Sequence, residues 1–263
     1  MLVEWILKIL MEIAMSQSLE HVNVIYKTLL SDLLRKGLPV SPRGLDCKEI
    51  MGHQTIIDMS YPYVDIPERK IGEKFRAAEA AWILSGDNRV STIEPYSKKI
   101  KDYSDDGQYF AGAYGPPFRD QLPYVLGCLS TDSYSRQALI SIWRPRPYSS
   151  KDIPCTVSLQ FLLRNDRIHT IATMRSSDAW LGWVYDVHNF SCISAFIALH
   201  LGCGLGHLYL TAGSQHLYET DIKGAQKVVA SFPTSHPNIN RSLEWQGGTP
   251  NAFIQYLWNQ ADS

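Results

Sequence analysis

The chain lacks the cysteine spacing of a disulfide-stapled or zinc-bound protein. Its five cysteines (Cys47, Cys128, Cys155, Cys192 and Cys203) are odd in number and include no C-x-x-C pair. That pattern argues against a disulfide framework, predicts no metal site and fits a reducing, cytoplasmic compartment. Charge of one sign is also missing: 25 Lys and Arg against 26 Asp and Glu leave a formal net charge of -1. The basic residues are scattered, so no field is present that would hold a nucleic-acid backbone, although a few converging arginines can still grip a small anion. No apolar run is long enough to span a membrane. No internal repeat, low-complexity tract or Pro/Gly/Ser-rich linker divides the chain. What is there, 263 residues of which 45% are hydrophobic, suffices for one large domain with a substantial core.

The start of the chain is apolar enough to suggest a signal peptide, but Glu4, Lys8 and Glu12 interrupt it and no small-residue cleavage site follows. Leu2, Ile6, Ile9 and Ile13 recur at helical spacing, which predicts a surface or dimer-packing helix. Residues 19–36 carry the same spacing and end at Gly37-Leu38-Pro39, a helix stop. Residues 74–85 read as a second helix with an apolar centre, closed by Gly86-Asp87. Residues 138–143 and 156–163 read as strands, the first followed by Pro145 and Pro147, and 168–174 as a strand apolar on alternate positions. Residues 188–201 form a long apolar helix that ends at Gly202-Cys203-Gly204, and 207–212 a strand leading to His216 and Tyr218. Mixed strands and helices predict an α+β fold whose sheet is covered on at least one face.

Several residues stand out chemically. A cysteine beside a proline at the mouth of a strand is usually a buried filler. Arg175, however, follows the next strand of a hairpin, so it can meet Cys155 at one sheet end and stabilise a thiolate there. Glu79, flanked by alanines in an apolar helix, is either a lone surface charge or a buried carboxyl whose raised pKa suits proton transfer at neutral pH. A monophosphate needs several fixed donors, and arginine presents a planar fork of them. Strand alternation points His216 and Tyr218 to one face. Asp186 precedes an apolar helix by two residues, which allows it to be that helix's N-cap.

Three segments in order carry a resemblance: Pro154-Cys155, then Arg175-Ser176-Ser177-Asp178-Ala179-Trp180-Leu181-Gly182-Trp183-Val184-Tyr185-Asp186, then Gly213-Ser214-Gln215-His216-Leu217-Tyr218. Together they resemble the active-site signature of the thymidylate synthases, whose central run is R-S-x-D-x-x-L-G-x-P-F-N. The family begins near Leu19, which makes residues 1–18 a helical extension and 19–263 one catalytic domain. The resemblance implies a mixed β-sheet packed with helices, with a sheet face forming the interface of a homodimer with shared active sites. It implies a pyrimidine nucleoside monophosphate as substrate and 5,10-methylenetetrahydrofolate as co-substrate. Cys155 matches the nucleophile that adds to C6 of the pyrimidine, a soft Michael acceptor. Glu79 and Trp82 stand in Glu79-Ala80-Ala81-Trp82-Ile83-Leu84-Ser85-Gly86-Asp87, similar to the family's E-x-x-W-x-L-x-G-D, where the glutamate organises water and proton transfer and Trp82 takes a place at the folate. Arg43 matches a mobile phosphate-binding arginine, Arg175 and Ser176 the phosphate cradle, and Arg136 an arginine given by the partner subunit. His216 and Tyr218 match the pair that holds the sugar 3'-hydroxyl, and Gln160 completes the nucleotide pocket. Asp178 and Gly182 match positions that meet the pterin, and Tyr114 a tyrosine near the attacked ring.

The departures matter as much. The family's base-reading asparagine is Asp186 here. An amide matches N3–H and O4 of uracil, whereas cytosine presents an unprotonated N3 and a 4-amino donor. A protonated carboxyl can donate to N3 and accept from the amino group, and protonation at N3 also makes C6 a better electrophile. Aspartate at this position resembles the cytidylate hydroxymethylase branch. Val184 replaces the proline of the run and Thr156 a histidine after the nucleophile. Two folate-facing tryptophans are Ile100 and Tyr103, and 251–263 has no clear match to the synthase ending that folds over the folate. A more open site favours water over hydride at the one-carbon adduct. The expectation is therefore folate-dependent 5-hydroxymethylation of a cytosine nucleotide, dCMP before CMP. A thymidylate synthase acting on dUMP and a non-catalytic nucleotide-binding homologue are the alternatives.

Overall fold

The computed structural model describes residues 21–145, 147, 149–231, 242–243 and 248–263; the expected extension over 1–18 lies outside them. The first helix, α1, runs Val22–Lys36 and buries Val22, Tyr26, Leu29, Leu30 and Leu33 on one face. A six-stranded sheet follows from β1 (Leu38–Val40), β2 (Cys47–Asp58), β3 (Leu139–Ser141), β4 (Thr156–Arg164), β5 (Arg167–Asp178) and β6 (Gly204–Tyr218). Its order is β1-β2-β6-β5-β4-β3. The remaining helices used below are α2 (Glu73–Leu84), α3 (Gly115–Thr131), α4 (Trp183–Leu201), α5 (Ile222–Ala230) and α6 (Pro250–Asp262). The α+β expectation and the mixed sheet are both met.

Local chemistry explains the joints. β4 and β5 form the expected hairpin, closed by Asn165 and Asp166 at φ 50 and 54; two left-handed residues are what a two-residue turn matching strand twist demands. β5 and β6 pair in parallel, which requires a crossover, and α4 supplies it. Gly202, at φ 66, ends α4 in the left-handed conformation that glycine adopts without strain. α4 is buried along most of its length, as its almost uniformly apolar sequence requires. It packs on β5 and β6, where the alternate positions Ile168, Ala172, Met174, Leu208, Leu210 and Ala212 are buried.

Two corrections follow. α4 starts at Trp183, five residues before the apolar pattern predicts, with Gly182 as its N-cap. Asp186 therefore stands inside the first turn, with its N–H bonded to the Gly182 carbonyl at 3.0 Å, and is not the cap. Gln160 lies between Leu159 and Phe161, which are both fully buried. Alternation turns it to the opposite sheet face, in a cross-strand row with Ile171, Tyr209 and Ile56. There its amide donates to the Arg136 carbonyl at 2.9 Å, so it does not complete a nucleotide pocket within this chain.

The topology decides where chemistry can gather. Because β5 and β6 run parallel while β2 and β4 run against them, the ends of β5 and β6 and the starts of β2 and β4 meet at one sheet end. Cys155 precedes β4, Arg175, Ser176 and Asp178 close β5, His216 and Tyr218 close β6, and Arg43 precedes β2. Four residues separate the end of β5 from the first turn of α4. Residues scattered over the sequence from 43 to 218 thus share one rim.

Candidate active site

Cys155 sits where β4 begins, half-buried, and two donors converge on its sulfur. The Arg175 Nη2 is 3.6 Å and the Ser176 Oγ 3.5 Å from Sγ, both as donors to the sulfur. Arg175 does more than the sequence indicates. Its Nε donates to the Pro154 carbonyl and its Nη2 to the Ile153 carbonyl, both at 3.0 Å, while Nη1 reaches Ser176 Oγ at 3.1 Å. The guanidinium therefore clamps the segment that presents the thiol, and keeps little donor capacity in reserve for a phosphate.

Beside this cluster is a cavity of about 480 Å³ walled by Glu79, Trp82, Tyr114, Gly182, Asp186 and Asn189, with Phe75, Ile100, Tyr103 and Phe110 among its apolar surfaces. Tyr114 links the two: its hydroxyl accepts from the Thr156 N–H at 3.4 Å, and its ring stacks on Phe190 at 6.4 Å. Its phenol is held well above the ordinary range by burial, with the Asp186 and Cys155 charges adding to the effect. Burial lifts the Glu79 carboxyl from 4.5 to about 7, opposed by a hydrogen bond from Asn189 Nδ2 to Oε2 at 2.7 Å. The Asp186 carboxyl is held well above the carboxylate range by burial first, then by the negative charges of Glu79 and Asp178. Two carboxyls facing one cavity, each desolvated, give the site an unionised acid and a poised base near neutral pH.

The turn between β5 and α4 is built for this. Asp178 Oδ1 accepts from the Trp180 and Leu181 N–H groups at 2.8 and 3.1 Å, and the Arg69 side chain, 4.5 Å over the Trp180 ring, donates to the Trp180 carbonyl. A Cβ at Gly182 would stand 3.3 Å from the Asp178 carbonyl and 3.4 Å from Asp186 Oδ2, so glycine lets the carboxyl approach the backbone. Asp178 itself stays off the cavity wall, opposite His216 in the strand register. His216 packs edge-on to Tyr218 at 5.0 Å, on the one face that alternation predicts. Arg43 is exposed and held at φ 55, a strained conformation for a non-glycine residue. Among the described residues neither the Arg43 nor the Arg136 guanidinium has a hydrogen bond or ion pair.

Sequence reasoning missed Asn189 and Arg69. Asn189 is only 3% exposed and lies three residues after Asp186 on α4, so the two share a helix face. That spacing was a readable signal. Arg69 had none, since only the fold brings it to Trp180.

Residues 24–249 match the family described as Thymidylate synthase, and the chain belongs to that family. It is a one-carbon transferase acting on a pyrimidine nucleotide, with 5,10-methylenetetrahydrofolate as co-substrate. The chain is also 30% identical over 265 aligned positions to the deoxyuridylate hydroxymethyltransferase of Bacillus phage SP01, an alignment covering 90% of this chain and 68% of that protein. The cavity fits such ligands. Its walls are largely apolar, with aromatic rings from Phe75, Trp82, Phe110 and Tyr114 among them, and the Trp82 Nε1 donor and the Asn189 Oδ1 acceptor are buried with no partner among the described residues; sites for stacked heterocycles combine these features. Trp82, Ile100, Tyr103, Phe110 and Gly182 would hold the folate, which supplies a one-carbon unit at the methylene level.

Proposed function

We propose that this enzyme hydroxymethylates C5 of a cytosine nucleoside monophosphate, dCMP in preference to CMP. The overall exchange converts the nucleotide, methylenetetrahydrofolate and water into the 5-hydroxymethyl nucleotide and tetrahydrofolate, with no net oxidation of the folate. The observation that carries the reading is the Glu79–Asp186 carboxyl pair on one cavity wall beside Cys155. The Cys155 thiolate adds to C6 and makes C5 a carbon nucleophile, which takes the methylene from the folate. C5 then loses its proton, tetrahydrofolate leaves, water adds to the exocyclic carbon, and the Cys155–C6 bond breaks to restore the ring and the thiolate. Asp186, kept unionised, donates to N3, which an ionised carboxylate could not do. Glu79 takes a proton from the water that ends on the new exocyclic carbon. Tyr103, 60% exposed, and Ile100 form a rim through which water enters, and the hydroxymethyl end point agrees with the name of the phage relative.

Arg175 and Ser176 hold the thiol and one side of the phosphate, Arg43 closes on it, and His216 and Tyr218 take the sugar 3'-hydroxyl. Gly182 borders the pterin, Asp178 acts on that side by fixing the Trp180–Leu181 turn, and a second copy of the chain contributes Arg136. The same relative favours a second reading in which the base is uracil. The test is tritium release from C5-labelled dCMP, CMP and dUMP, with absorbance followed for dihydrofolate. Release from dCMP without dihydrofolate is expected, and Asp186→Asn should move the preference toward dUMP. Release from dUMP with matching dihydrofolate would mean a thymidylate synthase; release from dUMP without it would mean the phage relative's substrate.

A further inference from the structure

A neutral carboxyl carries one donor and one acceptor, so Asp186 alone does not choose between the bases. Turned one way it donates to N3 of cytosine and accepts from the 4-amino group; turned the other it donates to O4 of uracil and accepts from N3–H. Something beside it has to break the tie. Asn189 stands one helical turn further along α4, on the same face, and lines the same cavity. Its amide is oriented from behind. Nδ2 is committed to Glu79 Oε2 at 2.7 Å, which leaves Oδ1, buried and without a partner among the described residues, as the half of the amide available to a ligand. An unsatisfied buried acceptor is costly and gains most from a donor that the ligand brings.

The ring geometry indicates which ligand atom that is. With C6 held at Cys155 and N3 at Asp186, C5 faces the water that Glu79 orients. The group lying between Asp186 and Glu79 then meets the substituent on C4. An amino group at C4 has two hydrogens, one for Asp186 and one to spare, whereas a carbonyl there would set two acceptors against each other.

We propose that Asn189 is a specificity-determining residue, held by Glu79 so that its Oδ1 accepts from the 4-amino group of a cytosine nucleotide and repels the 4-carbonyl of a uracil nucleotide. This rests on the nucleotide reading of the cavity given above. It gives a selection role to a residue that touches neither C5 nor C6.

The test is equilibrium binding, without folate, of dCMP, dUMP and the 2-pyrimidinone deoxynucleotide, which carries only hydrogen at position 4. In Asn189→Ala, dCMP should weaken about tenfold, the loss of one buried hydrogen bond. The 2-pyrimidinone nucleotide should stay within about twofold, which also certifies an intact pocket, and dUMP should hold or tighten. Asn189→Ser, a smaller polar change, should show the same ordering should the alanine variant fail to fold. Equal loss for all three nucleotides, or none, would overturn the role of Asn189. Wild-type protein that binds dUMP more tightly than dCMP would instead refute the cytosine reading itself, so the two failures are distinguishable.

Discussion

Glu79 shows how one residue couples stability to chemistry. Its carboxyl titrates near 7 in the folded chain against 4.5 ordinarily, because burial penalises the ionised form more than Asn189 rewards it. The folded state therefore holds a proton that the unfolded state has lost between those values. The stabilisation is complete below about pH 4.5 and disappears as pH rises through about 7. A shift of that size corresponds to on the order of 3 kcal/mol. Catalysis has the opposite slope, since the base must be ionised. In the wild type kcat/KM should rise through about pH 7 while the melting temperature falls between pH 5 and pH 8. Glu79→Gln should flatten the melting profile and lower kcat by about a hundredfold or more. A pH-independent kcat/KM in the wild type across this range would show that Glu79 is not the base. The melting profiles of both proteins, measured in parallel, check the stability half.

At the scale of elements, the turn from β5 into α4 concentrates the design. Gly182 leaves room beside its Cα for both the Asp186 carboxyl and the Asp178 carbonyl, and a methyl group there would force a shift of a few tenths of an ångström. Gly182→Ala should cost only about 1 kcal/mol in stability, the usual difference at an N-cap. The affinity for dCMP should nevertheless fall severalfold in titrations of the free enzyme, because the carboxyl is displaced. Unchanged affinity would show that the close approach is not needed. The sequence made α1, α2, the β4–β5 hairpin and most of α4 legible, since each carries a clear period or a clear stop. It hid β2, whose polar positions and Gly52 at φ 65 blur the alternation. It hid α3 as well: Pro116 and Pro117 suit a first turn, but Pro123 in its interior reads as a break. The start of α4 was obscured because Trp183, Val184 and Tyr185 belong equally to an active-site run and to a helix. Of the site, the ordered run exposed Cys155, Glu79 and Asp186. The clamp that Arg175 makes on residues 153–155 and the burial of Asn189 depend on contacts between elements far apart in the chain, which no local pattern encodes.

At the scale of the whole molecule, the sheet poses a problem of burial. Helices cover the face that carries Leu208 and Leu210, while the row Gln160, Ile171, Tyr209 and Ile56 on the other face is half-exposed. A sheet face whose apolar side chains are left half-exposed among the described residues is stabilised by packing that face on something else. A second copy related by a two-fold axis does so with one self-complementary patch. Arg136 belongs to the same argument: its carbonyl is tied to Gln160 on that face, while its exposed guanidinium has no partner among the described residues. A dimer through this face would carry Arg136 toward the neighbour's phosphate site. Arg136→Ala and Cys155→Ser proteins should each be nearly inactive alone. Unfolded and refolded together in equal amounts, they should regain up to about a quarter of wild-type turnover, because half of the random pairs are mixed and each mixed pair rebuilds one intact site of two. Sedimentation of the wild type as a dimer, with no recovery on mixing, would place Arg136 in service of its own subunit; a monomer would remove the shared site altogether.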